Sequence, residues 1–212
     1  MANPNANSAP AIISKKTRRG YGRKKSANLR NSRVVKLSLL GNNSAGLNPK
    51  RESFYNLVNK FKPSLITLQE TKLVYYGTAE LPGYKVFESL RKDRSGGGLY
   101  TAVLCDLDPV LISESENNDL LVVQFIVNGR QIRIFNAYGP QEHESSQQVL
   151  NFWQTVESEI IQAKQNHCLI IMQMDANAKL GKKFIEKDPH DTSNNGVILA
   201  DFNYTSWDVC CQ

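Results

Sequence analysis

The order strand, helix, strand near the beginning of this chain constrains its fold more than any single residue does. Val34-Val35-Lys36-Leu37-Ser38-Leu39-Leu40 is a largely apolar run that stops at Gly41, the composition of a strand. Asn48-Pro49 then opens a helix, with Asn as the N-cap and Pro at the first helical position. Phe54, Leu57, Val58 and Phe61 fall on one face of it at i, i+3, i+4 and i+7. Lys62-Pro63 closes the helix, and Ser64 to Leu68 is a second short strand. A crossover of this kind makes the two strands parallel neighbours and predicts an α/β protein.

A meander follows. Tyr84–Glu88, Gly98–Leu104, Val110–Ser113, Leu120–Val127 and Gln131–Asn136 are predicted strands, with Gly96-Gly97-Gly98 and Asn128-Gly129 as turns. Asn-Gly between apolar runs is a strong hairpin signal. Ser145 to Lys164 reads as an amphipathic helix carrying Val149, Phe152, Trp153, Val156 and Ile160, and Ser145 and Gln148 have the spacing of a capping box. Cys168 to Met172 is a continuous apolar run, predicted as a buried strand, and Gly196 to Phe202 is a candidate last helix. Cys105 and Cys168 lie in apolar, strand-like runs and are expected to be reduced thiols acting as small hydrophobes. Cys210 and Cys211 are adjacent and have no partner at zinc spacing.

Charge is unevenly placed. Residues 1–33 hold nine basic residues (Lys15, Lys16, Arg18, Arg19, Arg23, Lys24, Lys25, Arg30 and Arg33) and no acid, which leaves seventeen basic against twenty acidic residues over 34–212. The net charge of +6 therefore belongs to a tail that has little to bury and is expected to be disordered. Lys15, Lys16, Arg18, Arg19, Arg23, Lys24 and Lys25 are read as a nucleic-acid-binding or nuclear-localisation segment, with a solvated basic tail as the alternative. No window holds the roughly 18 consecutive apolar residues of a membrane helix. The expectation is an intracellular monomer without a membrane partner, the nucleus being a candidate location, with a globular domain spanning 34–212.

Polar residues stand at three strand ends: Asn42-Asn43, Gln69-Glu70 and Asp175-Ala176-Asn177. That is where α/β sheets place their sites. A Glu and an Asp gathered there can hold a hard divalent cation through oxygen. Such an ion polarises a phosphoryl oxygen, while Asn amides and a Tyr hydroxyl supply donors to phosphate. Taken one at a time these residues are ordinary turn and cap residues.

Taken together they form an ordered set: Gly41-Asn42-Asn43-Ser44-Ala45-Gly46-Leu47, Leu68-Gln69-Glu70-Thr71-Lys72, Gly96-Gly97-Gly98, Asn136-Ala137-Tyr138-Gly139-Pro140, and Met174-Asp175-Ala176-Asn177-Ala178-Lys179-Leu180-Gly181. Over about residues 34–200 this set resembles the endonuclease/exonuclease/phosphatase (DNase I-like) superfamily, and within it the endonuclease domain of LINE-type (non-LTR) retrotransposons. The resemblance implies a four-layer α/β sandwich, two packed mixed sheets flanked by helices. It implies Mg2+, with Mn2+ as a substitute, and hydrolysis of a DNA phosphodiester to a 3′-hydroxyl and a 5′-phosphate. Glu70 matches the metal-binding glutamate, and Asn43 the asparagine that helps place metal and phosphate. Asp175 matches the aspartate that activates or orients water, Asn177 its phosphate-contacting partner, and Tyr138 the tyrosine that braces the scissile phosphate. In an intact element the partner is a reverse transcriptase domain.

The family pattern also includes a further Asp and a Ser-Asp-His segment, which nothing up to Gln212 matches. The expectation is that about the last quarter of the usual domain is missing, and a lost acid–base group lowers rate on the order of 10²–10⁴. His190-Asp191 is a weak substitute, since neighbouring positions in sequence do not supply geometry, and His143 and His167 are read as surface or capping residues. Two other readings stand beside the nuclease: an inactive retroelement fragment that at most binds nucleic acid, and a phosphoesterase acting on lipid or small-molecule phosphates. Deletion of residues 1–33 is predicted to weaken DNA binding and to flatten its salt dependence, by roughly one unit of log–log slope for each phosphate that the tail neutralises. A salt titration of the full and shortened chains checks this, and equal affinity throughout would contradict it.

Overall fold

Two four-stranded sheets organise the chain. In the computed structural model, which describes residues 36–91 and 97–178, the first sheet contains β1 (Leu39–Asn43), β2 (Leu65–Gln69), β3 (Tyr84–Ser89) and β4 (Leu99–Leu104) in the order β1-β2-β4-β3. The second contains β5 (Val110–Glu114), β6 (Leu120–Val127), β7 (Arg130–Tyr138) and β8 (Leu169–Asp175) in sequence order. Helix α1 (Arg51–Phe61) follows β1, and α2 (Ser146–Gln165) connects β7 to β8. β1 and β2 are parallel neighbours, as the helical crossover requires, and so are β7 and β8; the other pairs are antiparallel.

Alternation along the strands sends side chains to both faces of each sheet, and three clusters fill the resulting layers. Leu65, Leu99 and Val103 meet Leu121, Val123, Phe125 and Ile134 between the sheets. On the outer face of the first sheet, Ile66, Leu68, Tyr100 and Ala102 pack against Phe54 and Val58 of α1. Opposite, Leu120, Val122, Phe135 and Ala137 pack against Val149, Trp153, Val156 and Ile160 of α2. The architecture is thus helix, sheet, sheet, helix, the four-layer α/β sandwich.

Local signals hold where short-range chemistry decides. Ser145 caps α2, its hydroxyl accepting from Gln148 N–H while the Gln148 side chain accepts from Ser145 N–H, the reciprocal capping box. Asn128 and Gly129 both take positive φ, 51° and 76°, in the β6–β7 hairpin. His167 is exposed in left-handed conformation just after α2, and His143 is exposed before it.

Other expectations are corrected. The first strand begins at Leu39, later than the apolar run suggests. Asn48 does not cap α1: residues Asn48–Lys50 form a 3-10 turn, and its Oδ1 accepts from Arg51 at 2.6 Å. Only Phe54 and Val58 of the proposed apolar face are buried, whereas Leu57 and Phe61 are exposed, because α1 meets the sheet along a narrow stripe. Cys105 is exposed in a 3-10 turn (Cys105–Leu107), while Cys168 is buried; both thiols are free. β8 is only half-buried, with β7 as its sole strand partner among the described residues. The predicted helix Gly196–Phe202, His190-Asp191, Cys210, Cys211, Gly96, Lys179-Leu180-Gly181 and the basic segment Lys15–Lys25 lie outside the described residues. Trp153→Ala, which empties the α2 layer, is expected to cost about 3–5 kcal/mol, against less than about 0.5 kcal/mol for Phe61→Ala on the exposed side. Urea denaturation of the two variants measures both.

Candidate active site

Each residue singled out at a strand end arrives at the same edge of the sandwich. Asn43 is the last residue of β1 and lies in register with Gln69, the last of β2, which Glu70 follows. Tyr138 ends β7 in register with Asp175, the end of β8. The two parallel pairs, one from each sheet, therefore present their C-terminal ends together.

Hydrogen bonds join them across the sheets. Asn43 Nδ2 donates to Glu70 Oε1 at 3.1 Å and to Asp175 Oδ2 at 2.6 Å, so the two carboxylates stand less than two hydrogen-bond lengths apart. Tyr138 O–H donates to the same Glu70 Oε1 at 2.6 Å and accepts from Gln141 Nε2 at 3.1 Å. Asp175 Oδ1 accepts from the backbone of Asn177 at 3.0 Å, and Asn177 Nδ2 donates to Gly139 O at 2.8 Å. Asn43 Oδ1 accepts from Ala45 N–H at 2.9 Å, which turns the amide nitrogen toward the carboxylates.

The backbone holds these groups in place. Glu70 sits in left-handed conformation, φ 50°, which for a non-glycine residue costs on the order of 1–3 kcal/mol and persists only where its surroundings impose it. They do: its carbonyl accepts from Gly46 N–H at 2.7 Å and Ser44 Oγ at 3.1 Å, and Thr71 N–H donates to Gly98 O at 3.2 Å. Gly98 has φ 86°, and a Cβ there would lie 2.7 Å from Thr71 Oγ1, so the glycine lets the chain pass close to the residues after Glu70. At Gly139 a Cβ would collide with the Ala176 backbone; the glycine lets the β7 and β8 ends close on each other, and its N–H donates to Asp175 O at 2.7 Å.

Three further side chains brace the site: Asn136, which the sequence presents only as part of the Asn136-Ala137-Tyr138-Gly139-Pro140 motif, Arg91 and Gln141. Asn136, fully buried, donates to the carbonyls of Leu68 (3.2 Å) and Tyr100 (3.0 Å) and to Thr101 Oγ1 (3.1 Å), and accepts from Gln69 Nε2 at 2.6 Å. Arg91 pairs with Asp119, both nearly buried, and its guanidinium lies 5.6 Å from the centroid of the Tyr138 ring, a cation–π contact. Gln141 reaches Tyr138 from the following loop. The partners of the first two lie far along the chain, out of reach of sequence patterns.

Burial, followed by the hydrogen bond to Glu70, raises the Tyr138 phenol above the usual tyrosine value, while bonds from Gln141 and Asn177 act in the other direction. The phenol thus stays a proton donor through neutral pH. For a cation, the donor set is carboxylate oxygen, from Glu70 and Asp175; Asp175, but not Glu70, also lines an open depression with Gln141, Glu142, His143 and Asn177. Such a set fits Mg2+, which takes one or two carboxylates and keeps waters and substrate phosphate oxygens as its other ligands. A cluster of three or more His, Cys, Asp or Glu side chains suited to a metal does not occur among the described residues.

No protein-family model matches the sequence, and no curated protein sequence matches it. The structure, however, is similar to solved ones. An AP endonuclease from Leishmania major superposes with a TM-score of 0.65 at 15% identity, covering 79% of this chain and 66% of that one. The catalytic domain of Xenopus laevis APE2 gives 0.65 at 18% identity, covering 78% and 67%. The endonuclease domain of TRAS1, a telomere-specific non-LTR retrotransposon, gives 0.52 at 17% identity, covering 80% and 70%. The chain therefore spans about two thirds of the length of these structures and has the endonuclease/exonuclease/phosphatase (DNase I-like) fold.

Tyr138 is expected to ionise above the ordinary tyrosine pKa of about 10, and Glu70→Gln to bring that ionisation down by removing the adjacent negative charge. Ultraviolet difference titration, with Tyr138→Phe to identify the phase, checks this; an unchanged midpoint in Glu70→Gln would contradict it.

Proposed function

We propose that the chain is a magnesium-dependent phosphodiester hydrolase that nicks DNA, of the non-LTR retrotransposon type. The observation that carries the reading is the bridge from Asn43 to both Glu70 and Asp175, which gathers two carboxylates from opposite sheets around one open edge. The DNase I-like fold of the nuclease neighbours supports it, and the TRAS1 domain supports the retrotransposon branch. Within that reading, a reverse transcriptase domain in the intact element, an intracellular and nuclear location and a monomeric state are further parts of the proposal. Among the described residues no helix is long and apolar enough to cross a membrane.

Glu70, with Asn43 beside it, is the residue to hold Mg2+ or Mn2+. When bound, the ion neutralises charge on the phosphate and lowers the cost of the transition state. Asp175 orients water and accepts its proton as the water oxygen bonds to phosphorus. The bond from phosphorus to the 3′ oxygen breaks as the water oxygen bonds, leaving a 5′-phosphate and a 3′ oxygen that takes a proton from solvent to become the 3′-hydroxyl. Tyr138 O–H, protonated and fixed against Glu70, braces a phosphate or leaving oxygen. Asn177, held by Gly139 O, contacts the phosphate next to Asp175. Positioning and preorganised donors supply most of the rate.

Supercoiled plasmid with magnesium is expected to be nicked by the wild-type chain and not in the presence of chelator. Glu70→Ala and Asp175→Ala are each expected to lower the rate by at least about a hundredfold. Nicking that survives both substitutions would reject the assigned site, and DNA binding without any nicking would favour the inactive, binding-only reading.

A further inference from the structure

The loop between β2 and β3 begins at Glu70 and leaves its largest side chains in solvent. Val74, Tyr75 and Tyr76 are 70%, 73% and 56% exposed, whereas Leu73 and Ala79 on either side are buried at 3% and 0%. Three consecutive exposed large side chains, two of them aromatic, are unusual on a surface that serves no contact. The loop is also braced. Tyr100, fully buried, donates from its hydroxyl to Ala79 O at 2.9 Å. Thr78 Oγ1 donates to Tyr75 O at 3.0 Å, and Gly77 N–H donates to Glu88 at 2.6 Å. At its start, Lys72 N–H donates to Gly97 O at 3.0 Å, and the Lys72 stem lies against Gly46, in the segment that follows Asn43.

We propose that Val74, Tyr75 and Tyr76 form a platform on which unpaired bases of the DNA stack beside the bond to be cleaved, with Lys72 facing the backbone. The inference rests on the nuclease reading of the adjacent site. A strand whose phosphate reaches Glu70 passes the rim that begins at the next residue, so the occupant of this patch is the nucleic acid itself. Tyrosine suits the task, because every base has a π-face and the ring loses little conformational freedom on contact. A patch held by hydrogen bonds at both ends, the one from Tyr100 to Ala79 buried, presents its rings already placed, which lowers the entropic cost of binding. Such a platform favours DNA with accessible bases over a fully stacked duplex.

The test uses the full chain in chelator, where nothing is cleaved, at a salt concentration high enough to suppress the electrostatic contribution of the N-terminal residues. The probes are a duplex oligonucleotide with a short unpaired bubble and its fully paired counterpart. The wild type is expected to prefer the bubble. The double variant Tyr75→Ala/Tyr76→Ala is expected to lose affinity for it by about ten- to a hundredfold, with little change on the paired duplex. Tyr75→Phe/Tyr76→Phe, which keeps the rings, is expected to bind as the wild type does. Thermal melting of the variants should be unchanged, since both side chains are exposed. Equal affinity of the alanine variant and wild type, a phenylalanine variant as weak as the alanine one, or a wild type without bubble preference would each overturn the platform. Plasmid nicking in magnesium separates the two readings. If the wild type nicks in a Glu70-dependent way but the alanine variant binds normally, the platform is rejected and the nuclease stands. If Glu70-dependent nicking is missing but the alanine variant loses bubble affinity, the nuclease reading is rejected and with it the placement beside a cleaved bond, and only the stacking of unpaired bases on the tyrosines stands.

Discussion

A buried amide pair, Asn136 with Gln69, locks the two sheets in register. Asn136 lies on β7, and its hydrogen-bonding partners Leu68, Gln69, Tyr100 and Thr101 all lie on the first sheet. In a layer filled mainly by Leu, Val, Ile and Phe with Tyr138, apolar packing alone allows the sheets to slide, whereas a buried amide is satisfied at one register only. Leaving one such group unpaired costs about 1–3 kcal/mol. The bond from Gln69 to Asn136 sits one residue before Glu70 and two before Tyr138, so the register it fixes is the register of the candidate site. The 2.6 Å bond from Tyr138 to Glu70 follows from that alignment.

Above this clamp the site is a matter of competing charges. Two carboxylates brought to one edge repel each other unless donors or a cation intervene. Asn43 supplies one amide group to both, and the Tyr138 hydroxyl adds a second donor to Glu70. These neutral donors lessen the repulsion without neutralising it, which leaves the pair suited to an added divalent ion and to the phosphate it would carry. Arg91 contributes a nearby positive charge, but Asp119 offsets it and the ring of Tyr138 lies against it; its main effect is to hold that ring.

Much of this arrangement can be read from the chain, for reasons that differ from residue to residue. The β6–β7 hairpin follows from Asn128-Gly129, and the start of α2 from Ser145 and Gln148, because both depend on contacts within a few residues. The meeting of Asn43, Glu70, Tyr138, Asp175 and Asn177 is expected from their places at strand ends and from a family likeness, since periodicity says nothing of how two sheets face each other. Tertiary packing sets the features that escape such a reading. Leu57 and Phe61 have helical spacing, yet α1 buries only Phe54 and Val58. Cys105 ends an apolar run, yet the chain turns there and exposes it. Asn136 stands in a recognisable motif, yet its partners, like that of Arg91, lie far along the sequence, where no local pattern announces them.

For Glu70, with Asn43 beside it, to be the cation-holding group next to Asp175, a divalent ion must settle at this edge when DNA is present. Crystals grown with a DNA oligonucleotide and Mn2+ decide this through the anomalous signal of the metal. A peak is expected within coordinating distance of the Glu70 carboxylate, bounded by Asn43 and facing Asp175 across a phosphate. Manganese bound elsewhere, with DNA in place and this edge empty, would contradict it.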